Sequence, residues 1–307
     1  MTTTAATDVL ETSLADLPAV HLDELTDQAA LQRRVDRKYV LPVGACLPLL
    51  EELGGRGAHV LEIDDRRTFG YDSVYLDTAD LTCYLQAAHR RPRRFKVRTR
   101  TYVDSGQCWL EVKTRDRRGW TVKHRTAYDV RDRALLTAEG RLFVEQVLTA
   151  TGLGLDAGTT LDAALRSVYR RSTLHLPQTS SRVTLDTTLT FRGRGSTSPR
   201  RGTAAASGAV TQRSVRPEAV PQEAVPLEAV PLEAVTLEAV TLPGYAVVET
   251  KTDGRPCAAD RLLWAVGYRP VRISKYGTGL AALDPDLPAT PWRRVLGREL
   301  FRPAAQT

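Results

Sequence analysis

Lysine is scarce in this 307-residue sequence. Of its 43 Lys and Arg residues only six are lysine (Lys38, Lys96, Lys113, Lys123, Lys251 and Lys275). Cysteine is nearly as sparse. Cys46, Cys83, Cys108 and Cys257 are scattered without a C-x-x-C pair, which excludes a disulfide framework and a cysteine zinc site and fits a reducing compartment. No run of about 18 apolar residues exists, so no helical membrane span is expected. The first 19 residues show no basic segment followed by an apolar run, so the chain reads as cytoplasmic. No G-x-x-x-x-G-K-[ST] loop is present, and Gly277-Thr278-Gly279 is too short for a dinucleotide fingerprint. His21, His59, His89, His124 and His175 lack metal-ligand spacing; His124, beside Val122 on a strand face, reads as structural, and Ser274 has no evident base.

What is abundant is arginine. The net charge is +7 and the pI about 9.4, so the partner is an anion: nucleic acid, a phosphorylated metabolite or an acidic surface. All six lysines fall in or beside segments that read as strands. An ammonium on a flexible stem and a planar guanidinium are not interchangeable at a tight site, so this placement carries information.

Along the chain, residues 1–25 read as mobile. A helix over 22–32 leads into a strand at 33–41, and Pro42 opens a helix at 43–53 that Gly54-Gly55 stops. A strand at 69–77 precedes a helix capped near Thr78 or Asp80. Strands at 93–103, 108–114 and 120–130 follow, joined by hairpin turns. A helix covers 138–151, and strands cover 167–174 and 182–192. Residues 193–242 break the pattern with a Gly/Ser/Arg/Ala-rich stretch and five copies of a five-residue unit, EAV[PT][QL]. That period suits neither helix nor strand and its prolines block both, so 193–242 reads as a disordered loop insertion. A strand at 245–251, a helix at 258–266 and a strand at 271–276 complete the domain. It therefore spans 26–192 and 243–284, with 285–307 as a tail. Hairpins dominate, which predicts an α+β fold: an antiparallel sheet of about eight strands closed into a barrel, helices outside.

Strand periodicity sorts the charges. Arg94, Lys96, Arg98, Arg100 and Tyr102 share one face; Phe95, Val97, Thr99, Thr101 and Val103 share the other. Trp109, Glu111 and Lys113 group together, as do Thr121, Lys123 and Arg125. So do Arg34, Asp36 and Lys38; Arg182, Thr184 and Asp186; and Tyr245, Val247, Glu249 and Lys251. One reading turns these faces to water around an apolar core. The other turns them inward, because like charges on neighbouring strands repel unless a polyanion or metal–phosphate complex neutralises them. Glu111 and Glu249 would then be oxygen ligands for Mg²⁺ or Mn²⁺.

These segments resemble a known family. Arg34-Val35-Asp36-Arg37-Lys38-Tyr39, Val74-Tyr75-Leu76-Asp77-Thr78, Lys96-Val97-Arg98-Thr99-Arg100 and Leu110-Glu111-Val112-Lys113 are similar to the VTC domain. Thr121-Val122-Lys123-His124-Arg125, Tyr169-Arg170-Arg171, Val248-Glu249-Thr250-Lys251 and Ser274-Lys275-Tyr276 continue the likeness in order. The VTC domain occurs in eukaryotic vacuolar transporter chaperone complexes and in stand-alone bacterial proteins. It belongs to the triphosphate tunnel metalloenzymes, relatives of the CYTH phosphatases.

The resemblance implies an eight-stranded tunnel barrel and a polyphosphate polymerase. Such an enzyme transfers the γ-phosphoryl of ATP to a growing polyphosphate chain with Mn²⁺ or Mg²⁺ as cofactor. It places Arg98, Arg100, Lys113, Lys123 and Lys275 at the transferred group and Lys38, Arg171, Arg182 and Lys251 along the chain. Strand alternation adds Lys96 and Arg125. Glu249 is implied as the metal ligand with Glu111 as helper. The CYTH signature Glu-x-Glu-x-Lys is replaced by Arg34-x-Asp36-x-Lys38, which disfavours the alternative of a simple triphosphatase. A non-catalytic polyphosphate-binding module is the other alternative. No nucleic-acid partner is expected, since the cationic faces offer few aromatics beyond Tyr102, Trp109 and Tyr245.

Overall fold

A computed structural model describes residues 3–28, 35–115, 121–156, 158–194, 237–298 and 300–304. Arg33, Arg34, residues 116–120 and most of the 193–242 insertion lie outside the described residues. The described strands are β1 (Ala19–Val20), β2 (Val35–Pro42), β3 (His59–Leu61), β4 (Phe69–Asp77), β5 (Arg94–Tyr102) and β6 (Cys108–Arg115), then β7 (Thr121–Tyr128), β8 (Asp162–Leu176), β9 (Ser181–Arg194), β10 (Leu237–Thr241), β11 (Tyr245–Thr252) and β12 (Arg302–Pro303). The helices are α1 (Thr3–Ala15), α2 (Leu22–Gln28), α3 (Cys46–Gly54), α4 (Thr82–Ala88), α5 (Ala138–Ala150), α6 (Ala258–Ala265), α7 (Lys275–Leu283) and α8 (Arg293–Leu296).

One mixed sheet takes in every strand, and its main run is β7-β6-β5-β4-β8-β9-β11-β2, antiparallel at each step. The expected closed barrel is not seen: among the described residues no ladder joins β7 to β2. The sheet instead curls far enough that Asp36 and Lys38 of β2 share a cavity with Lys96 of β5 and Arg115 of β6. Midway, β9 changes partner. Its first half pairs with β11 and its second half with β10, with Thr188 (φ 51°) and a register shift against β8 at the break.

The apolar face of the sheet points outward, into helices. Phe95, Val97, Leu110 and Val112 pack with Val144 and Leu148 of α5. Tyr39, Leu41, Val183, Leu185 and Val248 pack with Leu49, Leu50 and Leu53 of α3 and with Leu263 of α6. Two cores therefore lie on the convex side, and the charged faces point into the curl. Of the two readings of strand alternation, the inward one holds.

Four expectations are corrected. Residues 1–25 are not structureless, because Leu10, Leu14 and Leu17 recur at helical spacing and are buried with α3. The final copy of the repeat forms β10 against β9; that copy carries Thr in place of Pro and keeps its backbone donor. The 285–307 tail packs into the core through Trp292 and Val295, and β12 pairs with β10. Residues 271–276 are not a paired strand. The chain runs extended to Ser274, whose side chain accepts from Gly277 N at 3.2 Å and caps α7. Gly277 and Gly279 let α7 sit tight: a Cβ would come within 2.1 Å of Trp292 and 2.7 Å of Phe191 respectively.

Candidate phosphate-binding site

On the concave face each deeply placed carboxylate is gripped by two cations from different elements. Lys38 (β2) and Lys251 (β11) lie 3.2 and 2.7 Å from the same Glu249 oxygen. The β2–β11 register sets this up by placing Glu249 opposite Lys38 and Lys251 opposite Asp36. Burial alone would raise the Glu249 pKa, but Lys251, Lys38 and Arg171 hold it well below the usual carboxylate range. Burial, aided by Arg171 and opposed by Glu249, pushes Lys251 down to about 8.

The second centre is Glu111 on β6. Arg98 of β5 donates through Nε at 2.7 Å to Oε2, and Lys123 of β7 donates to Oε1 at 3.2 Å. Against the upward push of burial, Arg98, Arg100 and Lys123 lower Glu111 to about 2. Arg98 also donates to the Tyr75 hydroxyl at 3.2 Å. Arg100 donates to Ser73 at 3.4 Å and to the Tyr169 hydroxyl at 3.1 Å.

Asp186 on β9 is the third. Arg171 of β8 binds it with both prongs, at 2.6 and 2.8 Å, and Lys275 at the start of α7 donates to it. Burial opposes the charge, yet Arg171 and Lys275 hold Asp186 at about 2. Lys275 also lies 4.1 Å above the Tyr169 ring, whose face favours a cation. Sequence reasoning had not singled out Asp186, although its face-sharing with Arg182 and Thr184 was visible.

Between these centres lies a group of lysines with no such balance. Lys96 and Lys113 are register partners on β5 and β6, and Lys113 in turn pairs with Lys123. Burial, Lys113, Arg94, Arg98 and Lys38 depress Lys96 to about 7. Lys113 reaches the water of the curl but is ringed by protein; burial and Lys38 lower it to about 8. Lys96 donates to Ser274 Oγ at 2.8 Å. Two predicted residues stand apart. Arg125 is exposed and stacks 4.5 Å over Trp109, and Arg182 donates to the Leu25 carbonyl of α2 at 3.1 Å.

Behind the site, Asp77 anchors α4 and α7. Its two oxygens accept from Cys83 N (2.8 Å), Tyr84 N (2.9 Å) and the Tyr276 hydroxyl. The Tyr276 ring stacks on Tyr75, centroids 4.9 Å apart.

Residues 33–284 match the family model described as the VTC domain. This chain belongs to the VTC domain family. No curated protein matches it. Among solved structures, a putative adenylyl cyclase from Hippeastrum with a dominant triphosphatase activity is similar at 16% identity. That likeness covers 80% of this chain and 94% of the other, with a TM-score of 0.42. A Pyrococcus horikoshii protein is similar at 10% identity over 80% and 95% of the two chains, with a TM-score of 0.36. A putative adenylate cyclase from Vibrio parahaemolyticus is similar at 15% identity over 50% and 68%, with a TM-score of 0.30. Likenesses this distant decide nothing about activity, so the VTC assignment rests on the family match.

A divalent metal is the cofactor expected from the family resemblance. Among the described residues no three His, Cys, Asp or Glu side chains converge on a metal site. Both Glu111 oxygens already accept from cations, which leaves Glu249, next to Asp36 in the ladder, as the candidate donor. One or two carboxylates suit an Mg²⁺-type ion that takes its other ligands from phosphate and water. They do not suit an all-protein cage. No helix among the described residues is long and apolar enough to cross a membrane.

Proposed function

We propose that this VTC-domain chain is a metal-dependent polyphosphate polymerase, transferring the γ-phosphoryl of ATP to the end of a phosphate chain held in the curl. The observation that carries this is the lysine group: Lys96 and Lys113 sit opposite each other on β5 and β6 with Lys38 close by, and among the described residues neither of the two is ion-paired, while Lys38 has to share one Glu249 oxygen with Lys251. Such a group is stable in company with a polyanion and costly without one.

In the proposed reaction a terminal oxygen of the chain attacks the γ-phosphorus of ATP. The bond to the β-phosphate oxygen breaks, and ADP leaves with that electron pair. Phosphoryl transfer of this kind passes through a loose transition state, with charge spread over the transferred oxygens. Fixed cations such as Arg98, Lys113, Lys123 and Lys275 can stabilise it without a side-chain nucleophile. A divalent ion held by Glu249 would supply further charge neutralisation at the bridging phosphates.

Incubation with ATP and Mn²⁺ tests the reading: it predicts long-chain polyphosphate and ADP in step. Orthophosphate without chain growth would establish a triphosphatase instead, and tight binding without turnover a polyphosphate-binding module.

A further inference from the structure

The sequence offers Ser274 no base, and the fold supplies one. Lys96 Nζ lies 2.8 Å from Ser274 Oγ, across 178 residues of chain. Other buried serines are served differently. Ser73 meets the guanidinium of Arg100, which stays charged and takes no proton, and Ser172 meets the hydroxyl of Thr68. A lysine, unlike an arginine, turns from donor to acceptor at such a contact by losing its proton.

The surroundings favour that loss. Burial comes first, then Lys113 of β6, Arg94 and Arg98 of β5 and Lys38 of β2, and together they bring Lys96 to about 7. From the helices, Cys83 of α4 and the Tyr276 ring of α7, 5.9 Å away, face the same ammonium. Burial holds both above their ordinary ranges, so neither carries charge at neutral pH. The carboxylate in the wall of the adjoining cavity is Asp36.

Ser274 is held in place at that contact. Its Oγ accepts from Gly277 N at 3.2 Å, and its backbone N donates to Thr278 Oγ1 at 3.1 Å. An N–H donor at the first turn of a helix stabilises negative charge growing on the oxygen. Ser274 is half-buried and lines a cavity of about 500 Å³, with Lys38, Arg94 and Lys96 in the same wall. A nucleophile, a base and cations able to hold a transferred phosphoryl group therefore meet in one place.

We propose that Ser274 is a self-phosphorylation site, taking the γ-phosphoryl of ATP with Lys96 as its general base. The Oγ–H proton passes to Lys96 Nζ and Oγ attacks the γ-phosphorus. The bond to the bridging β-phosphate oxygen breaks, and ADP leaves with that electron pair. The resulting ester carries a charge of about −1.5 to −2 and lies against cations that a free phosphate chain would otherwise meet. The modification is therefore a brake on chain binding. ATP as donor is taken from the reading of the site given above; the covalent step is no part of chain growth.

Incubating the purified full chain with Mn²⁺ and either γ-labelled or α-labelled ATP, then mapping the label by mass spectrometry, tests this. The expected result is an acid-stable phosphoryl group on Ser274, from the γ-label alone. Label on another residue, acid-labile label (a phosphoramidate on Lys96) or no label overturns the proposal. The labelling rate rises about tenfold per pH unit up to about pH 7 and levels off above it, and a flat profile removes Lys96 as the base. Lys96→Arg keeps the charge, takes no proton and labels about a hundredfold more slowly; labelling at the wild-type rate overturns the base assignment. Should that variant not fold, the wild-type pH profile decides. The phosphorylated chain binds polyphosphate about tenfold more weakly than the unmodified one, and equal affinities overturn the brake. An unlabelled chain that still makes polyphosphate and ADP removes this site alone. Labelled Ser274 without polyphosphate keeps the site and removes the polymerase reading.

Discussion

Lys96 of β5 donates to Ser274 at 2.8 Å, and the same Ser274 oxygen accepts from Gly277 N at 3.2 Å. One hydroxyl thus caps α7 and ties it to the cationic face, which places Lys275 against Asp186.

Ser274→Ala removes both bonds. The expected loss of stability is about 1 kcal/mol, the usual worth of an N-cap, read from urea unfolding. Ser274→Asp, which caps as well and adds a charge beside Lys96, restores stability while weakening polyphosphate binding. If alanine leaves the unfolding midpoint unmoved, the cap contributes nothing.

Tyr276→Phe keeps the ring stacked on Tyr75 but leaves one Asp77 acceptor without its hydroxyl donor. A loss of about 1–3 kcal/mol is expected, since Asp77 is 1% exposed. Differential scanning calorimetry reads it; a wild-type melting temperature contradicts the anchoring role of this pair.

Glu249→Gln separates metal binding from chain binding. Without the carboxylate, Lys38 and Lys251 lose their shared partner and both face the ligand. Polyphosphate affinity without metal therefore holds or rises, while ADP release with Mn²⁺ falls at least about a hundredfold, the order of a lost charge-stabilising group. Undiminished turnover would assign the metal elsewhere.

Polyphosphate affinity is expected to weaken as pH rises. Lys96 at about 7 and Lys113 and Lys251 at about 8 are depressed lysines, and each must be protonated to bind an anion. Their charge is full below these values and lost above them, so the dissociation constant climbs between about pH 6.5 and 8.5. Binding near neutral pH takes up protons, visible as buffer-dependent calorimetric heats. Heats that do not depend on the buffer contradict the depression.

Acid stability follows the opposite sign. Glu111 and Asp186 titrate near 2 in the folded chain, below their ordinary 4.5 and 3.8. Their contribution is complete above the unfolded values and disappears as pH falls from about 4 toward 2, on the order of 2–3 kcal/mol each. Asp186→Asn removes the Asp186 part at every pH and strands Arg171 and Lys275, a cost of about 3–5 kcal/mol. Stability that is flat from pH 5 to about 2 would show that these ion pairs contribute nothing net.

Strand alternation made much of the site legible. A period of two puts Lys96, Arg98 and Arg100 on one face and Phe95 and Val97 on the other, and that division is what the sheet shows. Period two says nothing about Lys275, because its segment reads as a strand until Ser274 is seen capping a helix. Asp186 was passed over for a related reason: its value lies in partners 15 and 89 residues away, which only the β8–β9 ladder and the α7 packing bring together.

By itself, the sequence determined that strands of this chain carry cations on one face and apolar side chains on the other, since side-chain direction along a strand is a local property. Which face turns inward, whether the sheet closes, and which cation meets which carboxylate were decided only in three dimensions. Helices α3, α5 and α6 covered the apolar face, the hydrophobic effect drove it outward against them, and the charges were left to the curl. The scarce lysines meet there because β2 curls round to face β5 and β6, a long-range contact that no local pattern specifies.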